Sequence, residues 1–364
     1  RYVAPIAIIV TITAGVLFSQ FTQADYRLAL GAERLQRGQR RNLGLLRNAI
    51  LVVGLSTLIV LALVHAVLTD AIELPLGDVE PNELVFMTTF DDYNDEWDTF
   101  DDGRLIGEVA TDDTGNHQFI LTKMPDEDKG FPFTLLNRKI RNFDIRVTIT
   151  ELASAPDHDN YLGIIFRYRS ATEYYRFGIS GDGYYRLDKV EPDPDNPNIV
   201  RTVRISDFIP TTDLTAATEP PYPTLIRPGR ENPANSVSDT MNEIRVVGRD
   251  DQFWFYVNGE PVPLCLKGSR GNSMWIRDFQ TGGSGCVEGN VPTYVFEDND
   301  YKQGQIGFFA DRTPSSGLDE SGRPYPVSIA FDNVVIVGPP NDVPSTALPS
   351  LPPTIVPPSI EIPE

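Results

Sequence analysis

Residues 163–190 read GIIFRYRSATEYYRFGISGDGYYRLDKV. Apolar side chains recur there at every second position: Ile164, Phe166 and Tyr168, then Tyr175, Phe177 and Ile179, then Tyr185 and Leu187. That is the period of a strand with one buried face. Ser170-Ala171-Thr172-Glu173 and Ser180-Gly181-Asp182-Gly183 separate the runs, and the second link is rich in residues that tolerate positive φ. The stretch predicts three consecutive antiparallel strands, a meander that needs a second sheet to cover its apolar side. Its opposite face then carries Arg167, Arg169, Tyr174, Arg176, Tyr184, Arg186 and Asp188. Guanidinium groups donate in a fixed fork and tyrosines offer flat apolar area with a polar tip, so the first six residues form a candidate ligand-binding face. The competing reading is a row of cross-strand pairs on an ordinary solvated sheet.

Further strands are predicted at Leu84 to Phe90, His117 to Lys123, Phe143 to Glu151, Gln305 to Ala310 and Val327 to Val337. Asn242 onward, NEIRVVGRDDQFWFYVNGEPV, gives two strands around an Asp250-Asp251 turn, followed by an Asn258-Gly259 turn suited to a tight hairpin. Residues 83–338 are therefore expected to form one β-sandwich, with insertions at 192–241 and 265–300. The first insertion has one candidate strand, Ile199 to Ile205, and is too long for a simple hairpin. Residues 339–364, dominated by Pro, Ser and Thr, have too little bulk for a core of their own and predict an extended tail.

Ahead of the sandwich lie two apolar stretches. Tyr2 to Ala24 contains no charge and is long enough at 1.5 Å per residue to cross a hydrocarbon core of roughly 30 Å; a signal peptide is the competing reading, without a basic n-region or a small-residue cleavage pattern. Asn48 to Thr69, NAILVVGLSTLIVLALVHAVLT, is the stronger span, with His65 its one ionisable group. Residues 1–24 and 48–69 thus predict a two-helix transmembrane hairpin, joined by a basic linker at 25–47 and followed by an acidic stalk at 70–82. Gly15, Gly54 and Ser56 supply small positions for helix packing. The linker holds Arg27, Arg34, Arg37, Arg40, Arg41 and Arg47, whereas no Lys or Arg occurs from Asn48 to Gly103. The positive-inside rule puts the linker in the cytoplasm, and the N-terminus and sandwich outside a cell membrane crossed twice.

A net charge of −20 and a pI near 4.5 argue against a nucleic-acid partner. The two cysteines, Cys265 and Cys286, lie in one Gly- and Ser-rich loop of the exterior domain, where a disulfide is expected. No Cys-His cluster has zinc spacing, and His65, His117 and His158 are scattered, so neither a zinc site nor a histidine-based triad is indicated.

The ordered set FDDYNDEWDTFDDG, RNFDIRVTI, the central meander, NEIRVVGRDDQFWFYVNGEPV, GQIGFFA and VSIAFDNVVIVG resembles the concanavalin A-like jelly-roll modules of bacterial surface proteins. These are grouped with DUF1080, or 3-keto-disaccharide hydrolase-like, domains and are related to laminin-G and family 16 glycosidase sandwiches. The resemblance implies an all-β antiparallel jelly-roll sandwich, often glycan-associated. It also implies a structural calcium ion where first and last strands meet, with Asp91, Asp92 and Asp332 as ligands beside Asn333; the alternative is that these residues cap turns. Family 16 glycosidases carry paired acids on one strand, and no Glu-x-Asp-x-x-Glu pattern occurs in this chain.

Three functions follow. The main expectation is a non-catalytic accessory or scaffolding subunit of a membrane protein complex, docking on other subunits through its two helices and Pro-rich tail within the lipid membrane. The alternative is a cell-surface carbohydrate-binding module, with the Arg and Tyr face as its site and Trp97, Trp254 or Trp275 as stacking platforms. A glycoside hydrolase comes last. The topology is directly testable: protease added to intact cells should remove the sandwich, whereas protection there, with cleavage in inverted vesicles, would reverse the orientation.

Overall fold

The computed structural model of the protein describes residues 79–91, 96–112, 114–125, 130–196, 199–211, 225–227, 241–266, 275–277, 284–286, 290–313 and 317–342, with Gly54, Ser56, Thr57 and Leu61. The first apolar stretch, the basic linker, the rest of the second stretch, most of the stalk, the Pro-rich tail from residue 343 onward and Asp92 lie outside the described residues. Among the described residues no helix is long and apolar enough to cross a membrane. Chain contacts separate Arg1–Pro75 from Leu76–Glu364, and the strands among the described residues all lie in the second unit.

In chain order the strands are β1 (Leu84–Thr88), β2 (Phe100–Asp101), β3 (Leu105–Thr111), β4 (His117–Lys123), β5 (Phe133–Ile140), β6 (Phe143–Ala153), β7 (Asn160–Ser170), β8 (Glu173–Ile179), β9 (Tyr184–Pro192) and β10 (Val200–Pro210). They continue with β11 (Met241–Arg249), β12 (Gln252–Val257), β13 (Glu260–Pro261), β14 (Leu264–Leu266), β15 (Trp275–Arg277), β16 (Ser284–Cys286), β17 (Val291–Thr293), β18 (Phe296–Glu297), β19 (Gly304–Arg312) and β20 (Val327–Val337). The larger sheet runs β13-β12-β11-β6-β20-β4-β3-β2, with β1 added to β20 and β18 to β12; the smaller runs β10-β9-β8-β7-β19-β5. All their pairings are antiparallel, and the chain crosses between sheets at β4–β5–β6–β7, β10–β11 and β18–β19–β20, giving a jelly-roll-like sandwich.

Alternation explains the core. Ile164, Phe166, Phe177, Ile179, Tyr185 and Leu187 of the smaller sheet meet Phe119, Leu121, Ile145, Val147, Phe253 and Phe331 of the larger one. Burying each large apolar side chain contributes about 1.5–3 kcal/mol. A continuous aromatic stack ties the layers together: Trp97 lies on Phe308 of β19 at 4.6 Å, and Phe308 lies on Phe331 of β20 at 4.8 Å. The Ser180 to Gly183 link closes as expected, Ser180 N–H donating to Tyr184 O and Gly183 N–H to Ser180 O. Asn258 and Gly259 take φ of 50° and 84°, the positive values that a two-residue hairpin needs.

The meander departs from period two at one place. Arg167 has φ of 55°, and the register of β7 shifts beside it against both β8 and β19. This bulge inserts one residue and inverts every side chain after it. Arg167 therefore turns toward the main core and Tyr168 turns out, the reverse of the arrangement expected from the sequence. Strands β3 and β5 were not anticipated. Neither alternates buried and exposed side chains: Thr134, Leu135 and Leu136 are buried in succession and Asn137, Arg138 and Lys139 exposed in succession, so the period-two signal of a strand is lost.

In the second insertion, β14 pairs β17 and β15 pairs β16. Cys265 and Cys286 form a disulfide that closes a separation of 21 residues, with Cys265 buried in the main core. Removing that cross-link by Cys286→Ser should cost roughly 3 kcal/mol in the chain-entropy model. Urea unfolding of the full chain reads this out, and an unchanged midpoint would show that the bridge constrains nothing.

Candidate functional site

The outward faces of β7, β8 and β9 carry a second layer of side chains. Tyr161, Ile165, Tyr174, Val190 and Phe309 form a buried cluster there, with Phe131, Phe133, Tyr168 and Phe208 against it. The face expected to be solvated is thus covered. Room for this layer comes partly from Gly178, where a Cβ would stand 2.7 Å from the Tyr161 ring and 2.9 Å from that of Phe309.

Within this layer lies a cleft of about 590 Å³, a volume in the range of small-ligand sites. Tyr161, Arg176, Arg186 and Asp311 form its floor from four neighbouring strands, Thr202 and Arg204 come from β10, and Lys123, Phe131 and Arg312 wall the other side. Arg176 and Arg186 are each 8% exposed. Arg186 is held between the rings of Tyr161 and Phe208, at 4.1 and 4.3 Å, and Arg176 lies over Tyr161, Phe131 and Phe309 at 5.0–5.5 Å. Cation–π contacts of this kind strengthen when water is excluded.

One carboxylate supports both cations. Asp188, fully buried, accepts from Arg176 Nε at 3.0 Å and lies 3.0 Å from Arg186 Nη2 through the same oxygen. Burial opposes the charge on Arg176, but Asp188, Tyr161, Tyr174 and Asp311 together outweigh it and hold its pKa above the ordinary value. Burial, with Asp188 adding to it, likewise pushes the Tyr161 hydroxyl up, so it stays protonated, 3.2 Å from the backbone oxygens of both Arg176 and Arg186. Two polar atoms of this group have no partner: Arg186 Nε, a donor, and Asp188 Oδ1, an acceptor. Asp311 pairs with Lys123 at 2.7 Å, and Arg312 donates to the carbonyls of Met124, Pro125 and Tyr325.

Of the six sequence-derived residues, only Arg176 and Arg186 line this cleft. Tyr174 is buried beside Tyr168, at 5.5 Å between rings, and Tyr184 packs on Phe208 at 6.4 Å. Arg169 lines a second, shallower depression with Glu173, Glu191 and Arg201. Arg167, 0% exposed, lies over the rings of Phe143 and Phe253 and donates to Asp250 O at 3.0 Å. Trp97 and Trp254, 4% and 3% exposed, are packing residues and not platforms; the side chain of Trp275 lies outside the described residues. Phe131, half-buried at the cleft wall, supplies the aromatic surface instead, while Tyr161 is buried beneath the arginines.

Two further clusters bear on chemistry. Ser154, His158 and Glu151 come together, but Ser154 Oγ donates directly to Glu151 Oε1 at 2.5 Å, and the same Nδ1 of His158 faces both partners, at 2.5 Å from Glu151 and 3.4 Å from Ser154. A nucleophilic triad needs the two ring nitrogens to engage different partners. With Asn160 Nδ2 on Glu151 Oε2 and Gly181 N–H on Asn160 Oδ1, the cluster is a knot joining β6, β7 and the β8–β9 turn. At the expected calcium site, β1 does meet β20, yet Asp332 accepts from Asn116 Nδ2 and Asn333 N–H, and Asp91 from Thr89 Oγ1 with His117 beside it. Asp92, the third residue expected there, lies outside the described residues. Among the described residues no group of three or more His, Cys, Asp or Glu side chains is placed to hold a metal ion.

No protein-family model matches the chain, and no curated protein matches it. Solved structures do align. A carbohydrate-binding module from Bacillus subtilis is 12% identical, covering 67% of this chain and 96% of the module at a TM-score of 0.35. A Bacillus licheniformis beta-glucanase is 10% identical over 72% of this chain and 99% of its own, at 0.35. A Bacteroides ovatus mixed-linkage-glucan GH16 protein is 11% identical over 70% and 100%, at 0.38. At these values function has to follow from the residues of the cleft itself.

The placement of the arginines separates structural from surface roles. Arg167→Ala should lower stability by about 3 kcal/mol, in the range of large core truncations, whereas Arg169→Ala should shift it by about 0.5 kcal/mol or less. Equal urea midpoints for the two variants would contradict the bulge.

Proposed function

We propose that this chain is a membrane-anchored, non-catalytic binding protein whose sandwich takes a saccharide in the cleft on the outer face of the smaller sheet. The observation that carries this reading is the pair of buried, aromatic-stacked arginines supported by Asp188 and directed into a ligand-sized cleft. Saccharides offer hydroxyls that both donate and accept, and flat C–H faces that pack on rings. The cleft provides the complement: forked donors from Arg176 and Arg186, and apolar area from Phe131. Side chains locked by packing from both sides lose little freedom on binding, so affinity is not spent on ordering them.

The non-catalytic part of the proposal draws on the carboxylates. Glycoside hydrolysis needs two carboxyl groups flanking the scissile bond, about 5–5.5 Å apart for retention or 6.5–9.5 Å for inversion. Among the described residues the cleft is lined by one, Asp311, already paired with Lys123. The anchor rests on the apolar stretches at 1–24 and 48–69 and on the arginine asymmetry around them. Those segments and the Pro-rich tail are also the whole basis for an accessory-subunit role, so the cleft favours the binding module.

Affinity electrophoresis of the detergent-solubilised full chain through gels carrying different polysaccharides tests the proposal. Retardation by at least one polysaccharide, lost in Arg186→Ala and unaccompanied by new reducing ends, is the expected outcome. Retardation that survives in Arg186→Ala would move the site elsewhere, and release of reducing ends would make the protein an enzyme.

A further inference from the structure

The cleft has a charge opposite to that of the molecule around it. The protein carries a net charge of −20, yet among the described residues the cleft is lined by five cations, Lys123, Arg176, Arg186, Arg204 and Arg312, and by one carboxylate, Asp311. Adding Asp188 beneath the floor and Asp207, 3.4 Å from Arg204, and leaving aside Arg312, which is engaged elsewhere, makes four against three among the described residues, an excess of one positive charge.

Where that excess sits decides what it does. Surface cations exchange water and salt freely, and their pairs contribute little. Arg176 and Arg186 are more than nine-tenths buried, share a single oxygen of Asp188, and leave Arg186 Nε without a partner. Two guanidinium groups on one carboxylate remain under-compensated in a site of reduced dielectric, where a further anion is favoured much more than in water. A neutral hydroxyl would meet the hydrogen-bonding need but leave the charge uncompensated. A carboxylate meets both, and its two oxygens match the guanidinium fork.

Resting on the saccharide reading above, we propose that the ligand is an acidic saccharide, a uronate-bearing glycan whose carboxylate is received by Arg176 and Arg186. The acid group sits over the arginine pair, and the neighbouring sugar rings extend along Phe131. Arg204, on the edge strand β10 and largely exposed, meets the next acid group along the chain. The negative surface elsewhere repels polyanions, so binding is confined to the cleft, within about 8 Å of which the local excess is felt at physiological ionic strength.

Isothermal titration of the detergent-solubilised full chain with oligogalacturonate, with its carboxyl-reduced counterpart, and with a sulfated neutral oligosaccharide tests this. The expected result is at least roughly tenfold tighter binding of the uronate than of its reduced form, from charge-assisted hydrogen bonds, with affinity falling as salt rises. Arg176→Lys keeps the charge but removes the fork and should weaken uronate binding. Arg204→Ala, a surface change that leaves folding intact, should weaken uronate binding by about threefold, as loss of an exposed ion pair does. Equal affinity for uronate and reduced forms would overturn the inference while keeping the saccharide reading. Preference for the sulfated oligosaccharide would overturn the carboxylate assignment. Binding of none of the three, with retardation by neutral polysaccharides in gels, would overturn it as well; no binding in either assay would remove both readings.

Discussion

A carboxylate with no contact with solvent underlies the outer layer of the smaller sheet. Asp188 holds Arg176 and Arg186 through one oxygen, and the two arginines hold the aromatic rings between which they are stacked. Burying three charges in this way is expensive, and the attraction offsets the desolvation only when geometry and additional contacts are favourable. Here the additional contacts are rings, from Tyr161, Phe208, Phe131 and Phe309. The result is a polar layer packed like a core, and the cleft takes its shape from it. Such an arrangement fixes side-chain positions before any ligand arrives, which is what distinguishes a binding floor from a merely charged surface.

The register that produces this pair was legible in the sequence. Counting back from the Ser180 to Gly183 turn sets Ile179 against Tyr185, Gly178 against Arg186, Phe177 against Leu187 and Arg176 against Asp188. An acid opposite an arginine in mid-strand, on a face rich in tyrosine, is the signal for a buried pair, and it reads equally well as a solvated one until the covering layer is known. That layer was not legible. Phe131, Phe208 and Phe309 come from the β4–β5 connection, β10 and β19, and only the strand order brings them onto Tyr161. Lys123, Asp311 and Arg312 reach the cleft in the same non-local way.

The error at Arg167 has a local cause. Period two assigns faces correctly as long as each residue advances the strand by one pleat, and a single positive φ breaks the count. Nothing in the string IIFRYRS marks the bulge, because arginine is not a residue that favours positive φ. The compensation is tertiary: Phe143 and Phe253 beneath the guanidinium, and Asp250 O as its acceptor. The disulfide, the β20 strand and the Asn258-Gly259 hairpin were legible because each depends on residues near one another in sequence or on a turn with strict backbone demands. The Glu151, Ser154, His158 and Asn160 knot was missed although its members are close in sequence, since its signal is four polar residues in a loop, which ordinarily means exposure.

The joining of first and last strands has a mechanical side. Leu84 pairs with Val337, Asn82 N–H donates to Gly338 O, and Gly338 N–H donates to Glu83 O, so the chain enters and leaves the sandwich at one point. Tension applied between the segments before Asn82 and after Gly338 would act across the open end of the β1–β20 pair. Hydrogen bonds there would be loaded one at a time, as in a zipper, and not all together as in shear. A pull along the chain would thus peel β1 away while β7, β8 and β9, which carry the cleft, stayed outside the line of force.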